Sequence, residues 1–92
     1  MKKLLLCLSL MMSAYTYAQH LVTGVVQDNS GSTLVGANVY EKGTNTGTIT
    51  DANGAYQINC SSSSANLSFS FVGFSDQHVS VDGRSIINVT LL

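Results

Sequence analysis

From Leu21 to the end of the chain, apolar residues recur at every second position rather than at every third and fourth. That period belongs to a strand with one face buried, and it leaves no convincing helix in this part of the chain. The pattern predicts about seven short strands, near 21–27, 34–41, 47–50, 55–60, 65–72, 77–81 and 85–91. The alternation also selects the inward faces. Val22, Gly24 and Val26 share one side, as do Ala37 and Val39, then Tyr56, Ile58 and Cys60, then Leu67, Phe69 and Phe71. Asn38, Tyr40, Gln57, Asn59, Ser68 and Ser70 are expected to face outward. Val79, Val81, Ile87, Val89 and Leu91 complete an apolar set that one sheet cannot cover, so two sheets packed face to face are predicted.

The connections carry turn chemistry. Asp28-Asn29-Ser30-Gly31, Asp51-Ala52-Asn53-Gly54 and Asp82-Gly83 supply side-chain acceptors for backbone N–H groups and glycines for positive φ. Ser61 to Ser64 reads as a flexible loop. At 92 residues, with no internal boundary, the chain holds at most one ordinary domain.

The first residues follow a different rule. Met1, Lys2 and Lys3 make a basic start, Leu4 to Met12 is almost wholly apolar, and Thr16-Tyr17-Ala18 places small residues three before and one before a cut. This is the layout of a secretory signal peptide, which sets residues 1–18 apart from a mature domain at 19–92. The apolar stretch falls well short of the roughly 20 residues a spanning helix needs, and no direct membrane span is expected. Lipid attachment at Cys7 does not fit, because Leu6 is bulky and only Leu4 to Leu6 precede the cysteine. Cys60 is then the one remaining cysteine, a buried small hydrophobe or an unpaired thiol, with the inert core thiol preferred.

In the mature region Lys42 and Arg84 stand far apart against Asp28, Glu41, Asp51, Asp76 and Asp82. Nucleic acid is therefore not expected as a partner, since phosphate contacts need clustered cations, and neither is an anionic membrane surface.

Residues that might carry chemistry do not assemble into sites. His20 and His78 lack companions at metal-ligand spacing; His20 reads as a frayed, solvated residue and His78 as a solvated strand residue, with Asp76 nearby on the same expected face. Serines are plentiful, but none sits in a Gly-x-Ser-x-Gly elbow. Asp51-Ala52-Asn53-Gly54 begins like a calcium loop, yet Ala55-Tyr56-Gln57-Ile58 supplies none of the further oxygens, so a capped turn is the reading. The sequons at Asn66 and Asn88 would go unused in a bacterial periplasm. Sugar binding would want exposed aromatic platforms, and the outward candidates, Tyr40 and Phe74, are too few to make the case: Phe74 reads equally as a turn residue tucked over the sandwich edge, and Tyr40 as a member of a cross-strand pair. No catalytic, cofactor-binding or metal residue is assigned, and the chain is expected not to be an enzyme.

Several runs carry a resemblance: Val22-Thr23-Gly24-Val25-Val26, Gly31, Leu34-Val35-Gly36-Ala37-Asn38-Val39 and Lys42-Gly43-Thr44 resemble the carboxypeptidase-regulatory-like domain. Gly47-Thr48-Ile49-Thr50-Asp51-Ala52-Asn53-Gly54-Ala55-Tyr56 and Leu67-Ser68-Phe69-Ser70-Phe71-Val72-Gly73-Phe74 look like the form found at the start of SusC-like TonB-dependent outer-membrane transporters. The resemblance implies an all-β, Greek-key, transthyretin- or prealbumin-like sandwich. It also implies a non-catalytic periplasmic domain associated with the outer membrane, which docks or regulates as part of a glycan or peptide transporter. The partner would be the rest of that transporter, or another outer-membrane or periplasmic protein. The alternative is a stand-alone periplasmic or cell-surface module that binds a carbohydrate or a protein; an accessory domain of a peptidase is the third reading. Thr33 stands where members commonly carry proline, which affects loop stiffness. The sequence stops at Ile86-Ile87-Asn88-Val89-Thr90-Leu91-Leu92, where a transporter would run on, so a truncated transporter, a fragment or a separate copy is expected.

Overall fold

The computed structural model describes residues 19–92; the signal-peptide reading of residues 1–18, with Cys7, lies outside the described residues. Seven strands are present: β1 (His20–Asp28), β2 (Asn38–Glu41), β3 (Gly47–Ile49), β4 (Ala55–Cys60), β5 (Asn66–Ser70), β6 (Gln77–Ser80) and β7 (Val89–Leu91). They form a three-stranded sheet ordered β4-β1-β7 and a four-stranded sheet ordered β3-β2-β5-β6, with no helix among the described residues. The chain changes sheet after β1, β3, β4 and β6, and β5 returns beside β2, as in a Greek key. The all-β sandwich expected from the alternation is the observed fold.

The core is built from the two inner faces. Val22, Val26, Ile58, Cys60, Val89 and Leu91 pack from one sheet against Val39, Leu67 and Phe69 of the other. Tyr56 and Phe69 meet edge to face across the gap, with centroids 5.3 Å apart and planes at 73°. Full burial of side chains of this kind stabilises by about 1.5–3 kcal/mol each before entropy is charged.

Three strands are shorter than the alternation predicts by more than one residue, and each of these shortfalls has a local cause. The second was expected from residue 34, but Gly36 at φ 80° makes a turn there. Buried Thr50 holds that turn: its Oγ1 donates to the Leu34 carbonyl at 2.5 Å and accepts the Ala37 N–H at 2.9 Å. The fifth was expected to reach residue 72. It stops at Ser70 because Phe71 to Phe74 turn about Gly73, which has φ 91°. The last was expected from residue 85, yet only an isolated bridge between Thr23 and Ile86 precedes β7. Ser68, expected to face outward, does lie on the outer face of β5 but is fully buried there, with Tyr40 and His78 as its cross-strand neighbours.

The turn chemistry repeats. Asp28 Oδ1 accepts the N–H groups of Ser30 (2.9 Å) and Ser32 (3.0 Å), and Asp51 Oδ1 accepts those of Asn53 (2.9 Å) and Ala55 (3.0 Å). In both turns the glycine three residues after the aspartate has positive φ. The Ser61 to Ser64 segment, expected to be a flexible loop, is pinned. Ser61 donates its N–H and Oγ to Glu41, and Ser63 accepts the Gly83 N–H.

Candidate functional site

Every strand in the fold is nearly free of formal charge. Asp28 and Glu41 are the only acidic residues on the strands, and no Lys or Arg lies on any of them. Both carboxylates are occupied locally, Asp28 by its own turn and Glu41 by Ser61. The outward side chains of the strands therefore include no Lys, Arg, Asp or Glu, and the loop residue Asp51 borders the three-stranded face. On the three-stranded sheet, Leu21, Thr23 and Val25 lie beside Asn59, Gln57 and Ala55, with Ile86 and Asn88 at the β7 side. On the four-stranded sheet, Ile49, Asn38, Tyr40 and Ser70 surround a shallow groove that Gly47 and Thr48 also line. Tyr40 pairs with Gly47 on one side and Ser68 on the other, so its ring stands between two small neighbours.

These surfaces offer apolar area and hydrogen-bonding groups of both senses, which suits contact with an uncharged partner surface. They offer no acid–base pair.

The residues examined for chemistry are dispersed. The ring of His20 is hydrogen-bonded through Nε2 to the Arg84 carbonyl at 2.7 Å, so it is held rather than frayed. His78 is exposed on β6. Cys60 is fully buried, and burial, assisted by the nearby Glu41 carboxylate, pushes its thiol upward and keeps it protonated. Asp51 caps its turn, as the sequence predicts. Among the described residues no group of three or more His, Cys, Asp or Glu is placed to hold a metal ion. Tyr40 is exposed, whereas Phe74 packs against the core and stacks on Phe71 at 6.1 Å. The amide of Asn88 accepts the Val25 N–H at 3.0 Å and that of Asn66 accepts the Ser80 hydroxyl at 3.0 Å.

The model of the CarboxypepD_reg-like domain matches residues 22–92. This chain belongs to the CarboxypepD_reg-like domain family. The TonB-dependent receptor SusC of Bacteroides thetaiotaomicron is 38% identical over 89 residues, covering 96% of this chain and 9% of the receptor. The TonB-dependent receptors P39 and P3 of Formosa agariphila are 35% and 37% identical, over 91% and 99% of this chain. The chain thus spans under a tenth of the length of these relatives, 8% to 9%. It resembles the N-terminal region of SusC-like TonB-dependent receptors, and its family is a regulatory and transporter-associated one rather than a catalytic one.

The residues that carry the CarboxypepD_reg-like resemblance have structural work to do. A Cβ on Gly24 would sit 1.9 Å from the Ile87 carbonyl oxygen. On Gly54, which has φ +72°, it would lie 2.8 Å from both Thr33 Cβ and the Val26 oxygen. Three buried polar residues escaped the sequence reading. Parity could have found Glu41, which follows inward-facing Ala37 and Val39; Thr50 and Ser68 gave no such signal.

Proposed function

We propose that this chain is a non-catalytic, periplasmic N-terminal domain of a SusC-like TonB-dependent outer-membrane transporter, which acts by docking or by regulation and does not itself transport. One observation carries this reading: receptors of that class match 91% to 99% of the chain at 35–38% identity. The charge-poor sheet faces are the docking surfaces. A photo-crosslinking residue placed at exposed Tyr40 or Ile86 in living cells is expected to capture a transporter polypeptide or its periplasmic companion, while the same residue on the charged Asp82 turn does not. Equal yields of the same products at all three positions would remove the support for docking through these faces. Sequencing onward from the codon for Leu92 tests the transporter assignment independently, through the presence or absence of plug and barrel coding sequence.

A stand-alone carbohydrate- or protein-binding module is the second reading, favoured by the exposed Tyr40 beside Asn38 and Ser70 in the groove. Glycan-array binding that disappears in Tyr40→Ala would support it over the first.

A further inference from the structure

β1 is the central strand of its sheet, antiparallel to β4 and parallel to β7, and it begins at His20. His20 is fixed twice: it pairs with Cys60, and its ring nitrogen is hydrogen-bonded to the Arg84 carbonyl at 2.7 Å. Gln19, the residue before it, is exposed and lies outside the strand. Its side-chain amide is engaged at one atom only. Asn59 Nδ2 donates to Gln19 Oε1 at 2.8 Å, whereas Gln19 Nε2 has no hydrogen-bond partner among the described residues.

The leader reading of residues 1–18, with a cut after Ala18, makes Gln19 the first residue of the mature chain and gives it a free α-amine. An α-amine has a pKa of about 8, so roughly a tenth of it is neutral and nucleophilic at neutral pH. A glutamine so placed can close a five-membered ring between that nitrogen and its own side-chain carbonyl carbon.

We propose that Gln19 is a modification site, where the mature chain closes into an N-terminal pyroglutamate. The neutral α-nitrogen attacks Cδ, and an N–Cδ bond forms. The Cδ–Nε2 bond breaks, and Nε2 leaves as ammonia with the proton that the α-nitrogen gives up. Nothing is oxidised or reduced, and no co-reactant is consumed. The hydrogen bonding favours this outcome, because the nitrogen that leaves is unheld and the oxygen that stays is the one Asn59 holds. The Asn59 N–H also points at the oxygen on which negative charge develops during the attack.

Ring closure removes the amine that an aminopeptidase needs. Trimming of just two residues would take away His20, and with it the Cys60 pairing and the Arg84 tie at the start of the central strand. The lactam thus seals the strand that both neighbours depend on. The proposal rests on the leader reading and stands apart from docking.

Mass spectrometry tests it. The full chain is exported from a bacterial cell, free amines are blocked by acetylation at the moment of lysis, and the N-terminal peptide is sequenced. The expected peptide begins at position 19, is lighter by one ammonia and carries no acetyl group on its α-nitrogen. Acetylated Gln19 would overturn the proposal and uphold the leader; an N-terminus at any other residue would sink both. Asn59→Ala is expected to raise the acetylated fraction severalfold in cells harvested soon after induction, and an unchanged fraction would remove Asn59 from the reaction. Gln19→Ala cannot cyclise, and an added aminopeptidase is expected to trim it while leaving the unaltered protein intact. Equal trimming of the two would contradict the sealing role.

Discussion

Tyr56 reaches across β1 and donates its hydroxyl hydrogen to the Ile87 carbonyl at 2.6 Å. The crossing is possible because its cross-strand partner is Gly24, which leaves the ring and the Ile87 backbone room to meet. One phenol thereby joins β4 to the segment leading into β7. Tyr56→Phe removes the donor and leaves a buried carbonyl unpaired, so a loss of about 1–2 kcal/mol is expected in chemical denaturation, with the sandwich retained by circular dichroism.

The same hydroxyl predicts an alkaline limit. Burial raises the Tyr56 pKa from 10.0 to about 12, with Cys60 adding to the rise and Arg84 opposing it. The folded state thus holds the proton more tightly than the unfolded state. Its contribution is complete below pH 10.0 and is lost as pH climbs toward about 12. Melting temperature followed from pH 9 to pH 12 is expected to fall less steeply in Tyr56→Phe than in the unaltered protein; parallel slopes would contradict the assignment.

Gly24→Ala is expected to be among the most damaging small substitutions in the chain. The added methyl would meet the Ile87 carbonyl oxygen at 1.9 Å, and a backbone atom has no rotamer into which to retreat. Relief requires parting β1 from residues 85–91, at a cost of about 3 kcal/mol or more. Hydrogen exchange distinguishes this from general loosening: amides at Ile87 and Thr23 lose protection first, while the β2–β5 pair keeps its own.

Much of the sandwich was legible because burial on one face imposes a period of two, and Val22, Val26, Ile58, Leu67 and Phe69 obey it. The aspartate turns were equally open to reading, since Asp, a polar residue and Gly at fixed spacing make one backbone shape. Strand ends were less so. Leu34 to Ala37 reads as an apolar lead-in to the strand that follows, and the Thr50 hydroxyl, distant in sequence, holds it in a turn about Gly36. The parallel pairing of β1 with β7 leaves no local signature, because it depends on how the chain crosses between sheets. The candidate surface emerged as an absence of charge shared by strands far apart in sequence, visible once their outer faces are assembled.

Glu41 is only 4% exposed, and its carboxylate accepts the Ser61 N–H at 2.8 Å and the Ser61 hydroxyl at 2.5 Å. Glu41→Ala leaves both donors without an acceptor at the end of the core, with an expected cost of about 2–3 kcal/mol. Glu41→Gln keeps one acceptor oxygen and is expected to cost less. The readout nearest the site is Cys60. Its buried thiol should react with a thiol reagent only after unfolding, and markedly sooner in Glu41→Ala than in Glu41→Gln.

Ser68 runs the other way. Its Oγ is buried on the outer face of β5 and has no hydrogen-bond partner among the described residues, while its residue is 0% exposed. A hydroxyl stripped of water without a replacement bond is a net cost in the folded state. Ser68→Ala removes that cost and leaves a void no larger than the lost oxygen, with its neighbours Tyr40 and His78 still in register on either side. The variant is therefore expected to gain about 1 kcal/mol, read as a higher denaturation midpoint at unchanged slope. A loss of stability would mean that the hydroxyl has a partner in solution, such as a bound water, and the outer face would then have to be redrawn around it.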